Sequence, residues 1–157
     1  MYLTELAEKL EEAINTSSPE NWGGGVVVPV DMPVLAGFDP FSESESLDPG
    51  IYIVPGYNEY DFANARKTVG ISVVKRITVV ICTPFQALLD IQQSRGDVSL
   101  RSEWALLSNL REDLEGYLIR STIPNVKLVE IEPEPVDELA LDNRLFLAAT
   151  ILGYRAC

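Results

Sequence analysis

Val69-Gly70-Ile71-Ser72-Val73-Val74-Lys75-Arg76-Ile77-Thr78-Val79-Val80-Ile81-Cys82-Thr83 is the stretch on which the fold turns. Its odd positions, Val69, Ile71, Val73, Lys75, Ile77, Val79 and Ile81, repeat with period two, the signature of a β-strand. Fully extended at about 3.3 Å per residue, the stretch spans roughly 50 Å, whereas a compact chain of this length has a radius of gyration of about 15 Å. The strand therefore bends sharply, splits near Lys75-Arg76, or reaches past its own domain onto a neighbour.

Upstream of it, Leu3, Leu6, Ala7, Leu10 and Ile14 recur at helical spacing, with Glu5, Lys9, Glu11 and Glu12 mostly on the other side, and Asn15-Thr16-Ser17-Ser18-Pro19 ends the pattern. Gly23-Gly24-Gly25 then leads into Val26-Val27-Val28-Pro29-Val30-Asp31-Met32-Pro33. Its two prolines delete backbone donors and predict a sheet edge or an extended arm. Residues 37–50 are rich in Gly, Pro, Ser and acids and read as a surface loop. Ile51-Tyr52-Ile53-Val54 reads as a short strand closed by Pro55-Gly56, and Tyr57 to Lys67 as an aromatic connection.

Downstream, residues 84–97 fit either a helical turn or a wide loop. Trp104, Leu107, Leu110, Leu114 and Leu118 form an apolar stripe that predicts a helix from about Ser102 to Arg120, and the stripe is core packing, not a ligand box. Asn125 to Glu132 predicts a strand, followed by the acidic, proline-broken Glu132-Pro133-Glu134-Pro135-Val136-Asp137-Glu138. Arg144 to Tyr154 is apolar on both parities, as expected of a central strand buried on both faces.

The order helix, edge strand, strand, long strand, helix, strand, strand predicts one α+β domain over residues 1–157. Its sheet is mostly antiparallel and strongly bent, with two main helices packed on one face. A βαβαβ nucleotide fold is excluded by that order. Two helices cover one face, so apolar residues on the other require either another subunit or a fold-back of residues 84–97.

The chain carries 24 acidic and 12 basic residues, a net charge of −12, which repels phosphate backbones and argues against direct nucleic-acid binding. Yet 46% of its residues are hydrophobic, so some apolar material is expected between subunits. The N-terminus lacks a basic n-region and an apolar h-region, and no stretch approaches the roughly 20 apolar residues of a membrane span. A protein that remains in the compartment where it is made, with no membrane partner, is expected. Cys82 reads as a buried hydrophobe and Cys157 as a tail thiol, which suits a reducing compartment.

Histidine is absent, which excludes Ser-His-Asp and Cys-His catalysis and the commonest zinc and iron ligand sets. Gly23-Gly24-Gly25 lacks the spacing and preceding strand of a phosphate cradle and reads as a hinge. Carboxylates at Glu43, Glu45 and Asp48, or at Glu134, Asp137, Glu138 and Asp142, could bind Ca²⁺ or Mg²⁺, but neither set matches an EF-hand loop. Glu130 and Glu132 share a strand parity and could form an acid/base pair; without a companion motif they read as solvated outward residues. No enzyme activity and no cofactor are expected.

The segment order resembles that of the tail terminator and related head–tail joining proteins of long-tailed bacteriophages, which include neck and tail-completion proteins. The resemblance covers nearly the whole chain as a pattern without a diagnostic motif. It rests on the amphipathic N-terminal helix, the proline-marked arm, and Gly50-Ile51-Tyr52-Ile53-Val54-Pro55-Gly56 leading through a loop to Arg66. It continues with the long strand ending Ile81-Cys82-Thr83-Pro84, the helix around Leu106 to Leu118, and the closing strand Leu145 to Tyr154. The 37–50 loop and the Gly triplet are not features the family demands.

The resemblance implies a ring, usually of six subunits, that caps the tail tube, stops its polymerisation and meets the head connector. It would be assembled in the host cytoplasm and carried in the virion. DNA passes through such a ring without specific binding, and an acidic lumen would repel its phosphates. On this expectation Glu43, Glu45, Asp48, Glu132, Glu134, Asp137 and Glu138 face the channel. By residue type, Tyr57, Tyr60, Phe62, Arg66 and Lys67 are the expected contacts to a neighbouring subunit or the tube protein. A monomeric binding module or assembly chaperone, and a small metal-dependent enzyme, are the readings from other classes.

Overall fold

Apolar residues at helical and strand spacing decide the elements of this protein, seen here in a computed structural model that describes residues 1–17, 34–36, 50–62, 72–84, 100–136 and 145–156. Helix α1 (Leu3–Thr16) buries Leu6, Ala7, Leu10 and Ile14. The Glu5 carboxylate accepts a hydrogen bond from the Tyr2 N–H at 3.4 Å, and at the other end the Ser17 hydroxyl donates to the Ile14 carbonyl at 2.7 Å. Strands β1 (Val34–Ala36), β2 (Gly50–Asp61) and β3 (Ser72–Pro84) follow, then helix α2 (Leu100–Arg120) and strands β4 (Val126–Pro133) and β5 (Leu145–Ala156). Asn125 turns the chain from α2 into β4 with a φ of 70°, a left-handed conformation that asparagine tolerates.

The sheet order is β1-β2-β3-β5-β4, parallel between β1 and β2 and antiparallel elsewhere. The fold is α+β with a bent, open sheet. The two-parity apolar segment becomes β5, between β3 and β4. On one face α1 packs over β1, β2 and β3, and α2 packs on β5. Between them lie Leu6, Leu10, Ile53, Ile77, Ile81, Leu107, Leu110, Leu114, Phe146 and Leu152, all buried. Trp104 meets Phe146 edge to face, with ring centroids 5.5 Å apart.

Arg111 of α2 ties the helix to the sheet edge. Its guanidinium donates to the carbonyls of Glu134 and Ala149, each at 2.5 Å, and lies 3.2 Å from Glu115 Oε1. The buried Thr150 hydroxyl donates to the same Glu115 oxygen at 3.0 Å.

Several sequence expectations change. The expected edge strand 26–33 lies outside the described residues; among those described, the strand at that edge is Val34–Ala36. The predicted short strand 51–54 does not stop at Pro55-Gly56: β2 continues to Asp61, so Tyr57 and Tyr60 sit on a strand and not in a connecting loop. The reason is a bulge. Pro55 pairs with Ile77 and Asn58 with Lys75, so Gly56 and Tyr57 together oppose Arg76, and the missing proline N–H is tolerated there.

Of the three outcomes open to the long strand, splitting is excluded, because β3 pairs with β5 in unbroken register from Val74 to Pro84. The irregularities fall on its flanks. β4 also bulges, with Leu128 opposite Tyr154 and Glu130 opposite Gly153. Both bulges bracket the rung Arg76–Gly153, and bulges increase local bend and twist.

The second face carries Tyr52, Val80, Cys82 and Leu147, all buried within a single chain. The centre of that face is therefore dry without a second subunit, which removes the packing reason for expecting one. No helix among the described residues is long and apolar enough to cross a membrane.

Candidate interaction surface

Among the described residues the β2–β3 pair outruns its neighbours. β1 accompanies β2 only along residues 51–53, and the last rung between β3 and β5 is Val74–Arg155. Beyond it, Tyr60 pairs with Val73 and Asp61 with Ser72 as a two-stranded ribbon. Two-stranded ribbons are marginal by themselves in water and gain from a further surface.

Of the aromatics that the sequence singled out, Tyr60 lies on this ribbon, Phe62 just past its end, and Tyr57 in the bulge opposite Arg76. Tyr57, Tyr60 and Phe62 are exposed by 63%, 54% and 66%, although large aromatics ordinarily bury most of their surface. Tyr60 and Phe62, two residues apart, bring their ring centroids to 6.5 Å at an interplanar angle of 35°. At the base of the ribbon Lys75 Nζ donates to Asn58 Oδ1 at 3.2 Å. Arg66 and Lys67, the other expected contacts, lie outside the described residues.

On the second face at this end sits a charged cluster that sequence reading did not find. Arg76 Nε donates to Glu59 Oε2 at 2.9 Å, and the guanidinium also pairs with Glu130. One cation thus joins β2, β3 and β4 across β5. Its side chain is 13% exposed, while those of Glu59 and Glu130 are 53% and 55% exposed. The hydrogen bond with Glu59 raises the Arg76 pKa above the usual guanidinium value, with burial opposing it. The only trace of this in the sequence is that Lys75-Arg76 breaks an apolar run; the partners come from strand pairing. Beside the cluster, Lys127 of β4 and Arg155 of β5 are direct cross-strand partners, both exposed.

Glu43, Glu45, Asp48, Asp137 and Glu138 lie outside the described residues, as do Asp142 and the Gly23-Gly24-Gly25 hinge. Glu132 is exposed on β4, on the same face as Glu130, and Glu134 is half-buried, with its backbone N–H donating to the Ala149 carbonyl at 2.9 Å. Glu130 and Glu132, read as solvated outward residues, are both exposed, and Glu130 pairs with Arg76. Among the described residues no group of three or more His, Cys, Asp or Glu could hold a metal ion.

An open groove of about 610 Å³ runs where the C-terminal ends of α1 and α2 meet, lined by Lys9, Glu12, Thr16, Tyr117 and Arg120 among others. Tyr117 Oη donates to the Ala13 carbonyl there at 2.8 Å and pins the two helices together. The groove's charges are of both signs.

No family model matches the chain, and no curated protein matches it. Among solved structures, it aligns with a chain of the virion of a native gene transfer agent particle at 10% identity, over 99% of this chain and 98% of that one, with a TM-score of 0.40. A likeness at that level carries no weight for this chain.

Proposed function

We propose that this chain is a structural virion protein of a tailed phage. It forms a ring, of six subunits as in the family it resembles, at the head-proximal end of the tail. There it ends tail-tube polymerisation and joins the tail to the head connector. The observation that carries the reading is the set of exposed aromatics at the far end of β2: Tyr60 on the ribbon of β2 and β3 that extends past β5, Phe62 just beyond it, and Tyr57 in the bulge below it. Aromatics are the residues that interface cores favour. Apart from the proline-marked arm and the loop to Arg66, which lie outside the described residues, the element order on which the resemblance rests is also that of the described elements. On this reading the protein performs no catalysis and takes no cofactor. Its partners are copies of itself, the tail-tube protein and the head connector, and DNA passes through unbound. A neck or tail-completion role differs only in which of these it touches.

A second reading, a monomeric binding module or assembly chaperone, is favoured by one observation. Tyr52, Val80 and Cys82 are buried within one chain, so the second face does not call for a partner at its centre. Light scattering coupled to size exclusion separates the two readings. A closed oligomer near six times 17.4 kDa over a range of concentrations supports the ring, and a monomer throughout supports the module.

A further inference from the structure

Lys127 and Arg155 face each other directly across β4 and β5, and neither has a hydrogen bond or ion pair among the described residues. Like charges directly opposite one another weaken a sheet. The chain has 24 acidic residues against 12 basic, and the neighbouring Arg76 takes two carboxylates, Glu59 and Glu130. Among the described residues the pair therefore stands out as uncompensated positive charge on the surface. Arg155 pairs with Val74, one rung from Tyr60 of the exposed ribbon, and the side chains of Arg155 and Tyr60 point to opposite faces of the sheet.

The complementary surface is on α1. Its apolar side faces the core, and Glu5, Glu8 and Glu12 are exposed on the other side. α1 covers β1, β2 and β3 on the helix face, whereas Lys127 and Arg155 lie at the β4 edge on the second face. Acidic and basic surfaces thus occupy opposite faces and opposite edges of one sheet and cannot meet within a chain. Between copies they form a head-to-tail contact, the kind that closes into a ring when the rotation allows.

We infer that Lys127 and Arg155 of one subunit dock against Glu8 and Glu12 on α1 of the next copy of this chain. The inference rests on the ring reading and names one of its contacts.

The test compares the full-length protein with K127E/R155E and E8K/E12K by light scattering, each variant by itself and the two in equal mixture. Thermal melting checks that each is folded, and K127Q/R155Q replaces the first variant if it melts early. The unmodified protein is expected to form a closed oligomer that salt weakens. Each variant by itself should need about tenfold more protein to assemble, or fail to assemble. The mixture should regain the original mass, because every contact then joins opposite charges.

If the unmodified protein forms the ring and the variants keep its mass, or the mixture fails to recover it, the docking is wrong and the ring stands. If the unmodified protein is monomeric at every concentration, both fall. Retention on duplex DNA at physiological salt that K127E/R155E abolishes would reassign the pair to phosphate and overturn the docking.

Discussion

Arg76 reaches Glu130 by passing over Gly153. A Cβ at position 153 would lie 2.8 Å from Arg76 Nη1, 3.0 Å from Val74 Cγ1 and 3.3 Å from Glu130 Cβ. On the other flank a Cβ at Gly56 would lie 2.7 Å from the Arg76 carbonyl oxygen, so two glycines bracket one arginine, each where a flanking strand bulges or meets a bulge. The bulges and the cation are one device: the bulged strands bring Glu59 and Glu130 within reach of a side chain two strands removed from β4.

Gly153→Ala should displace the guanidinium from Glu130 and crowd Val74, destabilising the protein by about 1–3 kcal/mol. Because Nη1 is the nearest clash, the effect should couple to Arg76. In an Arg76→Met background the same substitution should cost at least about 0.5 kcal/mol less. Urea denaturation of the four proteins in the cycle measures the coupling, and strict additivity would show that the arginine does not depend on the missing Cβ.

Exposed aromatics contribute little to folding. Tyr60→Ser with Phe62→Ser should leave stability within about 0.5 kcal/mol per site. If the ribbon is an interface, the same pair should weaken self-association or tube binding at least about tenfold. Melting of dilute protein and solution mass at high concentration report the two effects separately.

Arg111→Ala removes a donor from two backbone carbonyls and leaves Glu115 beside the buried Thr150 without its cation. A loss of about 2–3 kcal/mol is expected, since the cost is that of unsatisfied groups and not of one surface ion pair. Thr150→Val should cost less, because Arg111 keeps its carbonyl partners. Chemical denaturation of both variants ranks them, and the reverse order would place the anchor in the hydroxyl.

Burial pushes the Cys82 thiol from 9.0 up to about 11. Below pH 9 both folded and unfolded states hold the proton, and the stabilisation is fully present. Above it the unfolded chain ionises first, so stability should fall between about pH 9 and 11, by an amount on the order of 2–3 kcal/mol. Tyr154, buried and also raised, adds to the loss above pH 10. Cys82→Ala should flatten the fall between pH 9 and 10, as read from melting temperature against pH. In a Cys157→Ser protein Cys82 should react with a maleimide only as fast as the chain opens.

What the amino-acid sequence by itself determined was whatever depends on local periodicity. The stripe Trp104 to Leu118 and the run Leu3 to Ile14 name helices whose buried faces are those residues, because a 3.6-residue repeat leaves one side apolar. The two-parity run Arg144 to Tyr154 names a strand buried on both faces, because a strand shows alternate residues to opposite sides. The exposed aromatics were legible by residue type. Only the tertiary structure decided that Pro55-Gly56 is a bulge and not a stop. A proline signals a break in any window, and whether the strand resumes depends on the partner across the sheet.

Arg76 with Glu59 and Glu130, and Lys127 with Arg155, are likewise pairings between residues from 17 to 54 positions apart. No repeat in the chain encodes them. Arg76 meets Glu59 through the β2–β3 pairing, and the other two exist because β5, last in sequence, inserts between β3 and β4. Register then places side chains opposite one another that the chain holds far apart.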